Sequence, residues 1–148
     1  MASPKRQPRG SRRGSRELVL QALYQWLLNR DEVGTLAAQA AEKEEFKRAD
    51  VDYFRKLLQG VIEHAVQLEA ALAPFLDRPL EQLSPIERAL LLIAAHELTA
   101  APDVPYRVAI NEAVELAKSY GGTDGYKYVN GVLDKLAAQV RPAEAGKP

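Results

Sequence analysis

The chain has only two histidines, and each has a glutamate beside it: Glu63 and His64, then His96 and Glu97. Both pairs lie in stretches of helical periodicity, where adjacent side chains point about 100° apart, so neither pair can share a ligand. Ordinary surface or core histidines account for them. The glycine-rich stretch "YGGTDGYKYVNG" has the density of a phosphate cradle, but its lysine precedes no Ser or Thr and no strand leads into it. A helix stop, a turn and a helix start explain these glycines, and the helix N-terminus near Asp124 can still face an anion. The carboxylates are scattered along polar faces with no acid and base pair among them. Cysteine is absent, which removes disulfides, thiolate metal sites and cysteine nucleophiles together. The expectation is a binding protein with no catalytic site, no metal and no cofactor.

Residues suited to binding are better represented. Arg12, Arg13 and Arg16 run directly into an apolar-periodic segment that carries Gln21 and Tyr24 farther along. Arginine neutralises phosphate and stacks on bases, and tyrosine offers an aromatic face to an unpaired base. Tyr126, Lys127 and Tyr128 repeat the mixture just after Asp124. Taken singly, Tyr24 and Tyr128 read better as core tyrosines with hydroxyls at the rim. Their occurrence together with the arginines favours RNA.

The charge distribution points the same way. Of 20 basic and 20 acidic residues, six basic ones (Lys5, Arg6, Arg9, Arg12, Arg13, Arg16) fall within the first sixteen positions, which contain no acid. A basic arm on an acidic body suits a segment that seeks phosphate, although a solubilising tail has the same composition. "SRRGSRELVLQALYQWLL" also imitates a twin-arginine export signal, with Ala38-Gln39-Ala40 as a cleavage site. Gln21 and Gln25 interrupt its apolar run, and Arg30, Asp31 and Glu32 separate that run from the cut. No apolar stretch reaches the roughly 18 residues needed to cross a bilayer. A cytoplasmic protein without membrane contact is expected.

The elements that must position these residues are all helical. Pro4, Pro8, Gly10 and Gly14 deny residues 1–14 a packable face, so a flexible basic arm is expected there, with order beginning near Ser15. A largely buried helix follows. Gly34 breaks the chain, Thr35 caps, and a short Ala-rich helix runs from Leu36 to about Glu45. Asp50 caps a helix whose apolar stripe, from Phe54 to Leu72, is regular until Pro74. After a kinked stretch through Pro79, "SPIE" supplies a capping box, with Ser84 as the cap, Pro85 at the first position and Glu87 completing it. Leu90 to Ile93 are apolar on every side, which implies a helix surrounded by others. Helices from Pro105 to Gly121 and from Asp124 to Pro142 complete the domain at 15–142, leaving 143–148 as a polar tail. No period-two alternation appears. The fold class is all-α, a compact bundle of about seven helices or two sub-bundles joined near Pro74 to Pro79.

"SRELVLQALYQW", "LSPIERALLLIAAHEL", "DVPYRVAINEAVELAKSYG" and "KYVNGVLDKLA", in this order and spacing, resemble the NusB family of bacterial transcription antitermination factors. The likeness runs from about Arg12 to Arg141. It implies two three-helix sub-bundles, pairing with NusE (a ribosomal small-subunit protein), and binding of the single-stranded boxA element of nascent ribosomal RNA. It also implies a place among the other Nus factors on RNA polymerase. On this resemblance the RNA surface maps to Arg12, Arg13, Arg16, Gln21, Tyr24, Asp124, Lys127 and Tyr128, and the NusE-facing surface to Glu87. Tyr128 stands where relatives often carry Phe, Leu92 replaces a common Arg, and the arm is longer than in many relatives.

Two other readings stand beside this one. A NusB-like domain also fronts certain ribosomal RNA methyltransferases, but about six residues after Pro142 leave no room for a methyl-donor-binding sheet. A homodimer joined through apolar helical faces is the other.

Overall fold

The computed structural model describes residues 10–145, so the expectations for residues 1–9 of the arm and 146–148 of the tail lie outside it. The described residues form eight α-helices: α1 (Arg12–Asn29), α2 (Val33–Ala41), α3 (Val51–Glu63), α4 (Ala65–Leu72), α5 (Pro85–Ala100), α6 (Tyr106–Tyr120), α7 (Gly125–Val140) and α8 (Pro142–Ala145). Short 3-10 turns at Glu44–Arg48, Ala73–Phe75 and Leu80–Gln82 connect some of them. Among the described residues there is no β-strand, and no helix is long and apolar enough to cross a membrane.

Order begins before Ser15. The Ser11 side chain accepts the Gly14 amide at 3.0 Å and starts α1 at Arg12. Its backbone is fastened as well: Ser11 N–H donates to Arg48 at 2.8 Å, and Asp50 N–H donates to the Ser11 carbonyl at 3.1 Å. Gly10 permits this, because a Cβ there would lie 2.0 Å from the Ala49 carbonyl oxygen. The front of α1 is therefore held against the chain entering α3.

Other boundaries also shift. α2 starts at Val33, with Gly34 in its first turn, and stops at Ala41; a 3-10 turn takes up the residues expected to finish it. The stripe from Phe54 to Leu72 is divided at His64, whose backbone (φ −111°, ψ 18°) leaves the helical region for one residue. The imidazole of His96 fills the space over Gly60, where a Cβ would meet Nε2 at 2.5 Å, and stacks on His64 with ring centroids 6.1 Å apart. Past the bend, α3 packs on α1 and α5 while α4 packs on α5 and α7. The division between the sub-bundles thus falls at His64, earlier than the prolines suggest.

α1–α3 form one sub-bundle and α5–α7 the other, with α4 joining the second, and α1 lies against α5 to merge both into one core. α5 is surrounded: Ala89 through Ala95 are buried without exception, Leu92 included. Its start is half of the expected capping box. Ser84 Oγ accepts the Glu87 amide at 3.1 Å, while the Glu87 carboxylate lies against Gly125 at the start of α7. At its other end Arg141 donates to the carbonyls of Glu97, Leu98, Ala101 and Val104 at 2.8–3.2 Å, satisfying acceptors that the helix end leaves open.

Candidate nucleic-acid interface

The three arginines leading α1 divide by burial. Arg12 lies with its guanidinium carbon 4.2 Å from the centre of the Tyr53 ring and 3.5 Å by Nη1 from Asp103. Arg13 is largely exposed and donates from Nε to Glu112 at 2.9 Å. Arg16 is not a surface residue: its side chain is 3% exposed and its guanidinium meets the equally buried Glu97 at 2.9–3.0 Å. The structure therefore places Arg16 in the core and not on the expected RNA surface. Charge alone placed it outside, whereas a buried carboxylate on α5 holds it inside. The Tyr53 hydroxyl donates to the same carboxylate, and burial, with the Glu97 charge, pushes that hydroxyl well above its ordinary range. It remains a donor.

Farther along α1, Gln21 donates to the Tyr120 hydroxyl at 3.2 Å and accepts from Lys43, while Tyr120 donates to Glu17 at 2.8 Å. Burial, foremost, raises the Tyr120 hydroxyl, which stays protonated across neutral pH. Tyr24, one turn on from Gln21, is 40% exposed. Because Tyr120 ends α6, these bonds bring the turn between α6 and α7 against the polar side of α1. Both segments carry recognisable residues in the sequence, but Tyr120 and Lys43 are not among them. An aromatic residue immediately before Gly121 was the available signal for the first; nothing local marks the second.

At the start of α7, Asp124 and Lys127 are exposed and pair at 3.4 Å. The Tyr126 ring has Lys118 Nζ at 5.1 Å and Lys127 Nζ at 6.0 Å from its centre, a cation-flanked aromatic of the kind suited to a stacked base. Tyr128 turns the other way. Its ring, like that of Tyr126, packs partly on the core, but its hydroxyl accepts the Asp77 amide at 3.2 Å and the Arg78 guanidinium carbon lies 5.1 Å from its centre. Bonds from Arg78 first, then Tyr128, lower the exposed Asp77 carboxyl to about 2. Glu87 lies on this side too, against Gly125. The expected site residues thus form one group on α1 (Arg12, Arg13, Gln21, Tyr24) and another about the start of α7 (Asp124, Lys127, Tyr128, with Glu87).

Among the described residues no three metal-ligating side chains gather. His64 and His96 do meet, across helices, which their separate positions in the sequence concealed. They border a shallow groove with Gln67, Leu68, Ala71 and Thr99.

The NusB family model matches residues 13–138. The transcription antitermination protein NusB of Cupriavidus pinatubonensis is 57% identical over 137 residues, covering 93% of this chain and 82% of that relative. NusB of T. maritima superposes with a TM-score of 0.81 at 32% identity, over 93% of this chain and 98% of its own. A chain in the crystal structure of antitermination factors NusB and NusE in complex with double-stranded RNA gives 0.79 at 26% identity, over 86% and 96%. With helix order, packing and matched length in agreement, the chain belongs to the NusB family of transcription antitermination proteins, which are binding factors and not enzymes.

Proposed function

We propose that this chain pairs with NusE and that the pair binds boxA of nascent ribosomal RNA, entering the cytoplasmic antitermination complex on RNA polymerase with other Nus factors. The observation that carries the reading is the bond from Gln21 to Tyr120. It holds α1 at Gln21, beside Lys43, against the end of α6, 99 residues on, where Lys118 and Lys127 flank Tyr126; Arg12, Arg13 and Tyr24 lie along the same α1. Cations among accessible rings match a strand whose phosphates are neutralised while its bases stack. The similar structure that holds NusE and double-stranded RNA supports both kinds of partner.

Unpaired RNA is the favoured form, since a duplex hides the faces that Tyr24 and Tyr126 would stack on. Fluorescence anisotropy with single-stranded boxA RNA, the same strand annealed to its complement, and a scrambled strand tests this, each with and without NusE. Tightest binding is expected for single-stranded boxA with NusE. Contact with about three to five phosphates gives a slope of log affinity against log salt of roughly −2 to −4. A flat salt response, or no gain from NusE, contradicts the reading. Preference for the duplex contradicts its stacking component, and sedimentation across concentrations tells whether a homodimer covers this face.

A further inference from the structure

Glu112 lies in the family-like stretch "VAINEAVELAK", and its partners define what it can do. On α6 it faces two arginines of α1. One carboxylate oxygen accepts from Arg13 Nε at 2.9 Å and the other lies 3.6 Å from Nη1 of buried Arg16. The glutamate side chain is only 16% exposed, whereas that of Arg13 is 66% exposed. Glu112 is therefore fixed from behind, by an arginine that Glu97 already holds, and reaches forward to one that faces solvent.

The atoms involved decide what this pairing does. A guanidinium offers two forks to a bidentate anion, one at Nε with a terminal nitrogen and one at its two terminal nitrogens, and a carboxylate that excluded phosphate from Arg13 would have to block both. Glu112 accepts from Nε, on the first fork, and among the described residues no hydrogen bond engages the terminal pair. One contact restrains the long side chain, and the phosphate-binding donors remain available. We propose that Glu112 is a positioning residue for RNA binding, anchored by Arg16 and aiming Arg13 outward. The inference rests on the RNA-binding reading above and names a determinant within that surface.

Removing an acid from an RNA-binding face ordinarily tightens binding, because the net charge becomes more favourable. Positioning predicts the reverse. Glu112→Ala weakens binding to single-stranded boxA RNA about three- to tenfold and makes the salt slope shallower by about 0.7, the equivalent of one phosphate contact on a single strand. Glu112→Gln keeps an acceptor for Arg13 and restores most of the affinity. NusE binding and the thermal midpoint, measured on the same samples, stay close to those of the unmodified chain. Tighter or unchanged RNA binding by Glu112→Ala overturns the inference and leaves the functional reading standing, as does a loss that Glu112→Gln fails to reverse. Failure of the unmodified chain to bind RNA in the same titration overturns both.

Discussion

Arg16 and Glu97 meet inside the protein, each no more than 3% exposed, with Arg16 Nε 3.0 Å from both carboxylate oxygens. The pair ties the front of α1 to the central helix, and Tyr53 of α3 donates to the same carboxylate. Charges taken this far from water cost free energy unless they are paired and hydrogen-bonded, and removing one partner strands the other. The frame beneath the surface arginines depends on this contact.

Arg16→Ala is expected to lower stability by about 3–5 kcal/mol, as is Glu97→Ala, because each leaves a buried charge without its partner. Urea denaturation measures this. RNA and NusE binding should fall together in these variants, whereas Arg12→Ala/Arg13→Ala should weaken RNA binding alone. Selective loss of RNA binding with unchanged stability in Arg16→Ala would return Arg16 to the interface.

Gly60→Ala places a methyl group against His96 Nε2, at 2.5 Å in the present geometry. Overpacking of this sort costs roughly 1–3 kcal/mol. The loss should be largely recovered in Gly60→Ala/His96→Ala, where the ring no longer occupies the space. Thermal melts of the two variants give the comparison, and equal losses would show that His96 is not the obstacle.

Acid should weaken the same junction. Burial first, then the neighbouring His64 and Lys56, lowers the folded-state pKa of His96 below its ordinary 6.5, with Glu97 acting in the opposite sense. The unfolded chain therefore takes up the proton first. The stability associated with this group is full above about pH 6.5 and declines as pH falls below it. Denaturation midpoints at about pH 7.5 and 5.5 test the slope, which His96→Gln should reduce.

Arg141 satisfies four carbonyl groups around the end of α5. Its replacement by Ala should cost about 2–4 kcal/mol, since several half-buried acceptors lose a charged donor at once. Lys at this position should recover little, because one ammonium cannot reproduce the spread of a guanidinium. Hydrogen exchange should quicken at amides of the last turn of α5 in both variants.

The helices were legible because their determinants are local. Ser84, Pro85 and Asp50 mark starts that the structure keeps, and the stripe on α7 gives its buried face directly. The break at His64 was not legible, because the ring that stacks on it, His96, lies 32 positions away on another helix. Arg16 misled for the same reason: a cation in a basic run reads as exposed until the fold brings a buried carboxylate to it. The candidate surface was readable as two segments from its arginines and tyrosines, and again from the family resemblance. The residues that join and aim them, Tyr120 and Glu112, are defined by contacts between helices and carry no pattern of their own.

RNA lying across α1 and the turn between α6 and α7 should leave a footprint on the NusE-bound chain. Hydrogen–deuterium exchange would be measured with and without single-stranded boxA RNA. Added protection is expected in residues 12–24 and 118–128, with α3 and the outer face of α4 unchanged. Protection confined to other helices, with none in those two segments, would contradict the account.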